Sequence, residues 1–92
     1  MIRSFSHKGL ENFFYKGIKK GIQSKYADRI ADILDLIDAA SEIRDINFPG
    51  SDLHPLLPKK DNIWVVKVSG AWRITFRFEN GDAHVVDYLN YH

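Results

Sequence analysis

The first half of the chain spaces its apolar residues three and four positions apart, as one face of an α-helix requires. A first stripe consists of Leu10, Phe13, Phe14 and Ile18. It predicts a helix of about three turns, which Gly17 and Gly21 loosen or end. A second stripe in residues 26–37 consists of Tyr26, Ile30, Ile33, Leu34 and Ile37, with acidic residues largely off it. The pattern predicts two amphipathic helices.

The second half changes to the two-residue period of a β-strand. Its large apolar side chains stand at even positions, namely Trp64, Val66, Val68, Trp72, Ile74, Phe76 and Phe78. Strands are predicted at residues 63–68, 72–78 and about 83–88, with a weaker candidate at 2–5. Ser69-Gly70-Ala71 is a short hairpin loop, and Asn80-Gly81 is typical of a type I′ turn. Helices followed by an antiparallel sheet indicate an α+β protein.

Hairpin register then assigns side chains to the two faces of the sheet. The turns predict these opposed pairs: Glu79 with Asp82, Arg77 with His84, Thr75 with Val86, Arg73 with Tyr88, Val68 with Trp72, and Lys67 with Arg73. One face therefore packs on the helices. The other is basic and holds Lys67, Arg73, Arg77, His84 and Tyr88.

Composition narrows the class of protein. Ninety-two residues support a single domain spanning 1–92, and 45% hydrophobic content with twelve aromatic residues excludes disorder. The absence of cysteine excludes disulfides and thiolate chemistry. No apolar run is long enough to span a membrane and no secretion signal is visible, so we expect a cytoplasmic protein without a membrane partner.

The net charge is +1, but basic and acidic residues are concentrated in different segments of the chain. Residues 3–25 and 59–77 are predominantly basic, whereas residues 26–48 are predominantly acidic. A basic surface can attract phosphate while the acidic stretch faces solvent or a cationic partner.

Candidate chemistry centres on the basic face and on three scattered residues. The cations are either solvated strand residues or a phosphodiester-binding surface, on which Tyr88 would stack on a base. His54 is either an ordinary loop histidine or a general acid or base. Tyr91 and His92 either form a frayed end or dock beside the basic face. No phosphate-binding glycine loop, metal-ligand spacing or serine nucleophile motif is present, so we expect neither a metal nor a cofactor.

Several segments together resemble the HigB toxins of bacterial type II toxin–antitoxin systems. They are residues 1–5 (MIRSF), 36–40 (LIDAA), 52–56 (DLHPL), 72–76 (WRITF), 80–83 (NGDA), Asp87-Tyr88 and Tyr91-His92. The resemblance implies a RelE-like fold, in which two N-terminal helices pack on one face of a small, mostly antiparallel twisted sheet.

The resemblance also implies a function. It is ribosome-dependent cleavage of mRNA at the decoding site of the 70S ribosome, by general acid–base catalysis without metal, so that translation stops. A cognate helix-turn-helix antitoxin would neutralise the toxin, and the pair would reach operator DNA through the antitoxin.

Matched motifs supply the implied site. Arg73 would stabilise the transition state, and His54, Tyr91 and His92 would carry protons. The flanking phosphates would be held by Lys67 with Lys59 or Lys60, and Arg77 and Tyr88 complete the predicted RNA-binding face.

The chain departs from the family pattern at three positions. Leu57 stands where the family often has lysine, Ala71 where it commonly has asparagine, and Asn90 where it usually has an acidic residue. A second interpretation therefore stays open: a catalytically weakened RelE-like protein that acts mainly by binding the antitoxin or the ribosome.

Overall fold

The computed structural model describes residues 1–56 and 61–91. Two α-helices come first, α1 (Lys8–Lys16) and α2 (Ala27–Ala39), and strands β1 (His54–Pro55), β2 (Ile63–Ser69), β3 (Trp72–Glu79) and β4 (Asp82–Asn90) follow. Short 3₁₀ turns occupy Ser24–Tyr26 and Ile43–Ile46. The α+β class and the helix-then-sheet order predicted from periodicity are confirmed.

Local capping fixes the limits of α1. The His7 ring accepts a hydrogen bond at Nδ1 from the Leu10 backbone N–H at 2.9 Å, which satisfies a donor that the helix leaves free. Gly17 ends the helix in the left-handed region at φ 71°, and its N–H donates to the Phe13 carbonyl at 2.9 Å. Ile18 therefore lies beyond the helix and is 44% exposed, so its predicted place on the apolar stripe was wrong.

The longer helix, α2, buries the stripe that its spacing predicted. Ile30, Ile33, Leu34 and Ile37 are at most 2% exposed. Tyr26 lies in the preceding 3₁₀ turn rather than in the helix. The outer side of α2 carries exposed acidic residues, so one helix presents an apolar face to the sheet and an acidic face to solvent.

The four strands form one antiparallel sheet in the order β1-β2-β3-β4. The predicted strand at residues 2–5 appears only as two isolated parallel bridges, Ile2 with Ala83 and Phe5 with Val86, along the free edge of β4. The helices cover one face, where the core includes Val66, Ile74 and Phe76, each fully buried. Within the described residues no helix has the length and apolarity needed to cross a membrane.

Register agrees with the prediction next to the Asn80-Gly81 turn. Glu79 pairs with Asp82, and Arg77 pairs with His84. Asn80 and Gly81 both have positive φ, 53° and 78°, as a type I′ turn requires.

A β-bulge in β4 then changes the register. Between Arg77 and Thr75 the pairing shifts by one residue, and Val85 takes φ 49°. Thr75 consequently pairs with Asp87 instead of Val86, and Arg73 pairs with Leu89 instead of Tyr88. Both predicted pairs were wrong, because one extra residue exchanges the faces of every residue that follows it.

A second bulge lies at the other hairpin. Lys67 pairs with Arg73 as predicted, but Ser69 rather than Val68 pairs with Trp72. Val68 remains fully buried on the helix side. The bulge therefore changes the pairing next to the loop but leaves Lys67 opposite Arg73.

Candidate active site

Directly opposed residues share a face of a sheet, so the register defines the side of the sheet away from the helices. We call this side the open face. One row across it is His54, Val65, Thr75 and Asp87; the next is Lys67, Arg73 and Leu89; a third is Ile63, Arg77 and His84. The structure therefore brings four predicted site residues to one face: His54, Lys67, Arg73 and Arg77.

Arg73 lies near the centre of this arrangement, where the β2–β3 hairpin holds its guanidinium. Nη1 donates to the Gly70 carbonyl at 2.6 Å and to the Trp72 carbonyl at 3.0 Å. Among the described residues, Nε and Nη2 make no hydrogen bond, so three of the five guanidinium N–H donors remain for a ligand. A planar donor set of this kind suits the oxygens of a phosphate.

Lys67 is the direct cross-strand neighbour of Arg73. The two Cα atoms are therefore separated by about 5 Å. In the described strand pairing neither cation faces a carboxylate, so the two repel each other at this spacing. A bound phosphate group would relieve that repulsion. The pair is the strongest anion-binding feature on the open face.

His54 reaches the open face from β1. Its Nδ1 lies 2.6 Å from the carbonyl oxygen of Asp52, and because a carbonyl can only accept, Nδ1 holds the hydrogen. In the neutral ring Nε2 then holds the lone pair that a general base needs. Asp52 has φ 48°, a left-handed conformation that aspartate tolerates better than most residues, and this turn precedes the histidine.

Ser51 anchors the segment that bears His54, and sequence analysis missed it. The Ser51 carbonyl accepts from the Lys67 N–H at 2.7 Å, and its Oγ donates to Asn47 Oδ1 at 3.0 Å. The side chain is 1% exposed, so these contacts are shielded from water. The signal was the Pro49-Gly50-Ser51 break, which indicates a turn but not the strand to which it is attached.

Arg77 and two carboxylates modify the charge of this face. Arg77 Nε lies 2.7 Å from Glu79 Oε1, but its N–H is not directed at that oxygen, and within the described chain this buried nitrogen has no hydrogen-bond acceptor. Asp87 stands on the face beside Thr75, where Val86 was expected. The open face is thus cationic at Lys67 and Arg73 and of mixed charge toward Arg77.

Tyr88 does not lie on the open face, which corrects its predicted role as a base-stacking residue. The bulge at Val85 turns it toward the helices, where it is 4% exposed and stacks on Trp72 with ring centroids 4.6 Å apart. Its hydroxyl donates to Gln23 Oε1 at 2.5 Å. Burial, with a smaller contribution from Tyr26, raises the pKa of Tyr88 to about 12. Both ring faces are therefore unavailable to a nucleobase.

Tyr91 stays attached to the sheet beyond the end of β4. Its N–H donates to the Ala71 carbonyl at 2.8 Å, so pairing continues past Asn90, and alternation places Tyr91 on the same side as Leu89 and Arg73. The residue is 41% exposed. The other predicted site residues, Lys59, Lys60 and His92, lie outside the described residues, as does Leu57.

The described side chains form no candidate metal site. In residues 1–56 and 61–91, no three histidine or acidic side chains come together in a way that could hold an ion. Besides the carboxylates near Arg77, the open face offers cations, the imidazoles of His54 and His84, and the phenol of Tyr91.

Taken together, the fold and this face define a small α+β protein with an anion-binding surface on an antiparallel sheet and a histidine and a tyrosine at its margins. The family model described as the RelE-like toxin of the type II toxin–antitoxin system HigB matches residues 3–92. The chain belongs to this family of HigB-like toxins. It is also 46% identical, over 92 residues and the whole length of both chains, to a Proteus vulgaris protein named "Endoribonuclease HigB". Membership of a toxin–antitoxin family implies an antitoxin partner.

Proposed function

We propose that this toxin is a ribosome-dependent endoribonuclease that cleaves mRNA in the decoding site. The full-length similarity to a protein named as an endoribonuclease supports the reaction type. The observation on which the proposal rests most is the opposed pair Lys67 and Arg73, on the face that also holds His54. This arrangement offers a phosphate both neutralising charge and a neighbouring acid–base group.

The reaction is transesterification within the RNA strand. The ribose 2′-oxygen attacks the adjacent phosphorus while the bond from phosphorus to the 5′-oxygen breaks, which leaves a 2′,3′-cyclic phosphate and a 5′-hydroxyl. The 2′-hydroxyl proton passes to a base, and the leaving 5′-oxygen receives a proton from an acid. His54, Tyr91 and His92 are the groups we assign to these transfers.

Arg73 acts on the charge that develops at phosphorus. In the transition state the phosphate oxygens gain negative charge, and the free donors of the guanidinium hydrogen-bond to them more strongly than in the ground state. Lys67 holds the same or a flanking phosphate, and we assign Lys59 and Lys60 the same role. Arg77 extends the surface along β3.

The spacing of these groups supports the proposed dependence on the ribosome. His54 and Arg73 are two strands and two residues apart, or roughly 12 Å between Cα atoms. A flexible RNA seldom holds its 2′-oxygen, phosphorus and leaving oxygen in line between them, whereas an mRNA held in the decoding site has already lost that freedom.

The proposal includes the partners and the compartment. A helix-turn-helix antitoxin would bind the toxin and bring the complex to operator DNA, and the toxin would act in the cytoplasm, where ribosomes are found. We infer no metal requirement, so cleavage should persist in a chelator once the ribosomes themselves are kept intact.

The decisive experiment maps cleavage at single-nucleotide resolution. Purified protein is added to ribosomes stalled on a short mRNA, with the same RNA free in solution as a control, and the 5′ ends are located. We expect cuts in the decoding site only on the ribosome. They should disappear in Arg73→Ala and in a variant lacking Tyr91 and His92, both of which should remain folded.

Two outcomes would overturn the proposal in different ways. Wild-type cleavage by folded Arg73→Ala would contradict the site assignment. No cleavage by the wild-type protein, together with ribosome or antitoxin binding, would instead show that Leu57, Ala71 and Asn90 belong to a binding protein with a toxin fold.

A further inference from the structure

A second basic surface lies outside the sheet, at the last residue of α1 and in the connection from α1 to α2. Its side chains are Lys16, Lys19, Lys20 and Lys25, all exposed, and we call them the connection lysines. Residues 12–27 contain no acidic residue. None of the ion pairs found within residues 1–56 and 61–91 involves a connection lysine. This concentration of unneutralised charge takes no part in the site described above.

The connection packs closely against α1 although it contains no α-helix. Gly9 and Gly21 approach so closely that a Cβ built on Gly9 would lie 2.6 Å from the Gly21 Cα, and one built on Gly21 would clash with the Gly9 Cα. A side chain at either position would force the two backbones apart. Ile22, next along the chain, is buried. The backbone that bears Lys19 and Lys20 is therefore packed against α1 and is followed directly by a core residue.

Two contacts attach the connection to the end of the sheet that bears Arg73. Gln23 accepts a hydrogen bond from the Tyr88 hydroxyl, and Tyr88 stacks on Trp72, the residue before Arg73. Tyr26 lies against Ser69 in the β2–β3 hairpin, and hydrogen bonding by Ser69 and Lys25 lowers the pKa of the Tyr26 phenol. Lys25 Nζ stands 5.0 Å from the centre of the Tyr26 ring. These contacts place the segment that bears the connection lysines next to the β2–β3 hairpin that bears Arg73.

We propose that the connection lysines form a second binding surface for the phosphate backbone of RNA, continuous with the Arg73 hairpin; this inference rests on the proposed action on RNA. Lysine is a mobile point charge that suits backbone phosphates of any sequence. The exposed Asp28, Asp32 and Asp35 on α2 repel the same ligand. RNA is therefore directed along the connection and onto the open face, and away from the outer side of the helices.

The backbone could belong to the mRNA or to ribosomal RNA, and binding measurements separate the two. The test variant is Lys19→Gln/Lys20→Gln, because these two lysines contact no other described side chain through an ion pair. The matched control is Lys8→Gln/Arg44→Gln, which removes the same charge from positions paired with Glu11 and Glu42. Dissociation constants for vacant ribosomes and for a short single-stranded RNA are measured over a range of salt concentrations.

We expect the test variant to bind more weakly and with a shallower salt dependence. Each lysine that contacts a phosphate contributes about 0.7 to 0.9 to the slope of log K against log salt, so the slope should decrease by about 1.4 to 1.8. The control should keep the wild-type slope. A change with ribosomes alone identifies ribosomal RNA, and a change with both ligands identifies a contact that mRNA also makes.

The proposal is overturned if the test variant and the control have the same affinity and slope for both ligands while both variants melt at the wild-type temperature. Failure of the nuclease function is a separate result. If the wild-type protein binds RNA with the expected slope but cuts nothing, the binding surface stands and the enzymatic proposal falls.

Discussion

The two faces of the sheet are built from the same strands but differ in almost every physical property. On β3, Ile74 and Phe76 are fully buried beneath the helices, whereas Arg73 and Arg77 alternate with them on the open face and remain partly exposed. The helix side contributes hydrophobic stabilisation, whereas the open side carries the charges of Lys67 and Arg73, which no ion pair found in residues 1–56 and 61–91 neutralises. Because successive side chains of a strand point to opposite faces, a single strand can contribute to stability on one face and to function on the other.

Truncating the largest buried side chain should give the largest change in stability. Phe76→Ala removes a fully buried ring, which we expect to lower the free energy of unfolding by about 3 to 5 kcal/mol. Lys67→Ala, on the other face of the same sheet, should change it by no more than about 0.5 kcal/mol. Urea denaturation of both variants tests the contrast. Equal losses would mean that the faces do not divide the two roles.

Alkaline pH tests the position of Tyr88 on the buried side. The pKa of Tyr88 is near 10 in the unfolded chain and about 12 in the folded protein. Between these two pH values the unfolded chain therefore binds fewer protons than the folded protein does. The contribution of Tyr88 to stability is therefore complete below pH 10 and is lost as the pH rises to about 12.

Tyr88→Phe should remove that part of the alkaline decline. At neutral pH it should cost only about 1 kcal/mol, for the hydrogen bond to Gln23. The free energy of unfolding of both proteins, measured across this pH range, gives the difference. An identical alkaline decline in the variant would place Tyr88 in water, as on the open face.

The smallest effect concerns the bulge that sets the faces of β4. Val85 is 40% exposed and holds φ 49°, a conformation that is costly for a β-branched residue. Val85→Gly should relieve this strain and raise the free energy of unfolding by about 1 kcal/mol. Val85→Ala keeps a Cβ in the same conformation and should give no such gain. Equal stabilisation by both variants would mean that the branched side chain, not the presence of a Cβ in the left-handed conformation, limits this position.

Much of this comparison could be predicted from the sequence because β2 and β3 alternate regularly. Even-numbered apolar residues identified the buried side, and the Asn80-Gly81 turn set the first pairs of the following hairpin. Both helices were also predictable from their apolar stripes, except for Ile18, which the left-handed Gly17 removes from the helix.

The prediction failed where the period breaks. Ala83 and Val86 are both buried although they are three positions apart, a spacing that a regular strand cannot accommodate on one face. That spacing was the visible sign of the bulge. An unbroken register placed Tyr88 beside Arg73, whereas the bulge places Asp87 on the open face and Tyr88 in the core.

The site was only partly accessible to sequence reasoning. Arg73 and Lys67 follow from hairpin geometry, so their pairing was predictable. His54 lies in an aperiodic segment whose position depends on Ser51, a residue attached to β2 by a tertiary hydrogen bond. No local pattern indicates such a contact, so the histidine was placed by resemblance alone.

The bridges between the beginning of the chain and β4 affect when the fold can be completed during translation. Ser4 Oγ accepts a hydrogen bond from the Val85 N–H across 81 positions, and Ile2 is buried only when Ala83 has arrived beside it. Contacts of such long sequence separation form late, because a large loop must close before they contribute. The strand that bears Arg73 also obtains its second neighbour only from residues 82–90. A nascent chain therefore lacks an assembled open face until its final strand has been made.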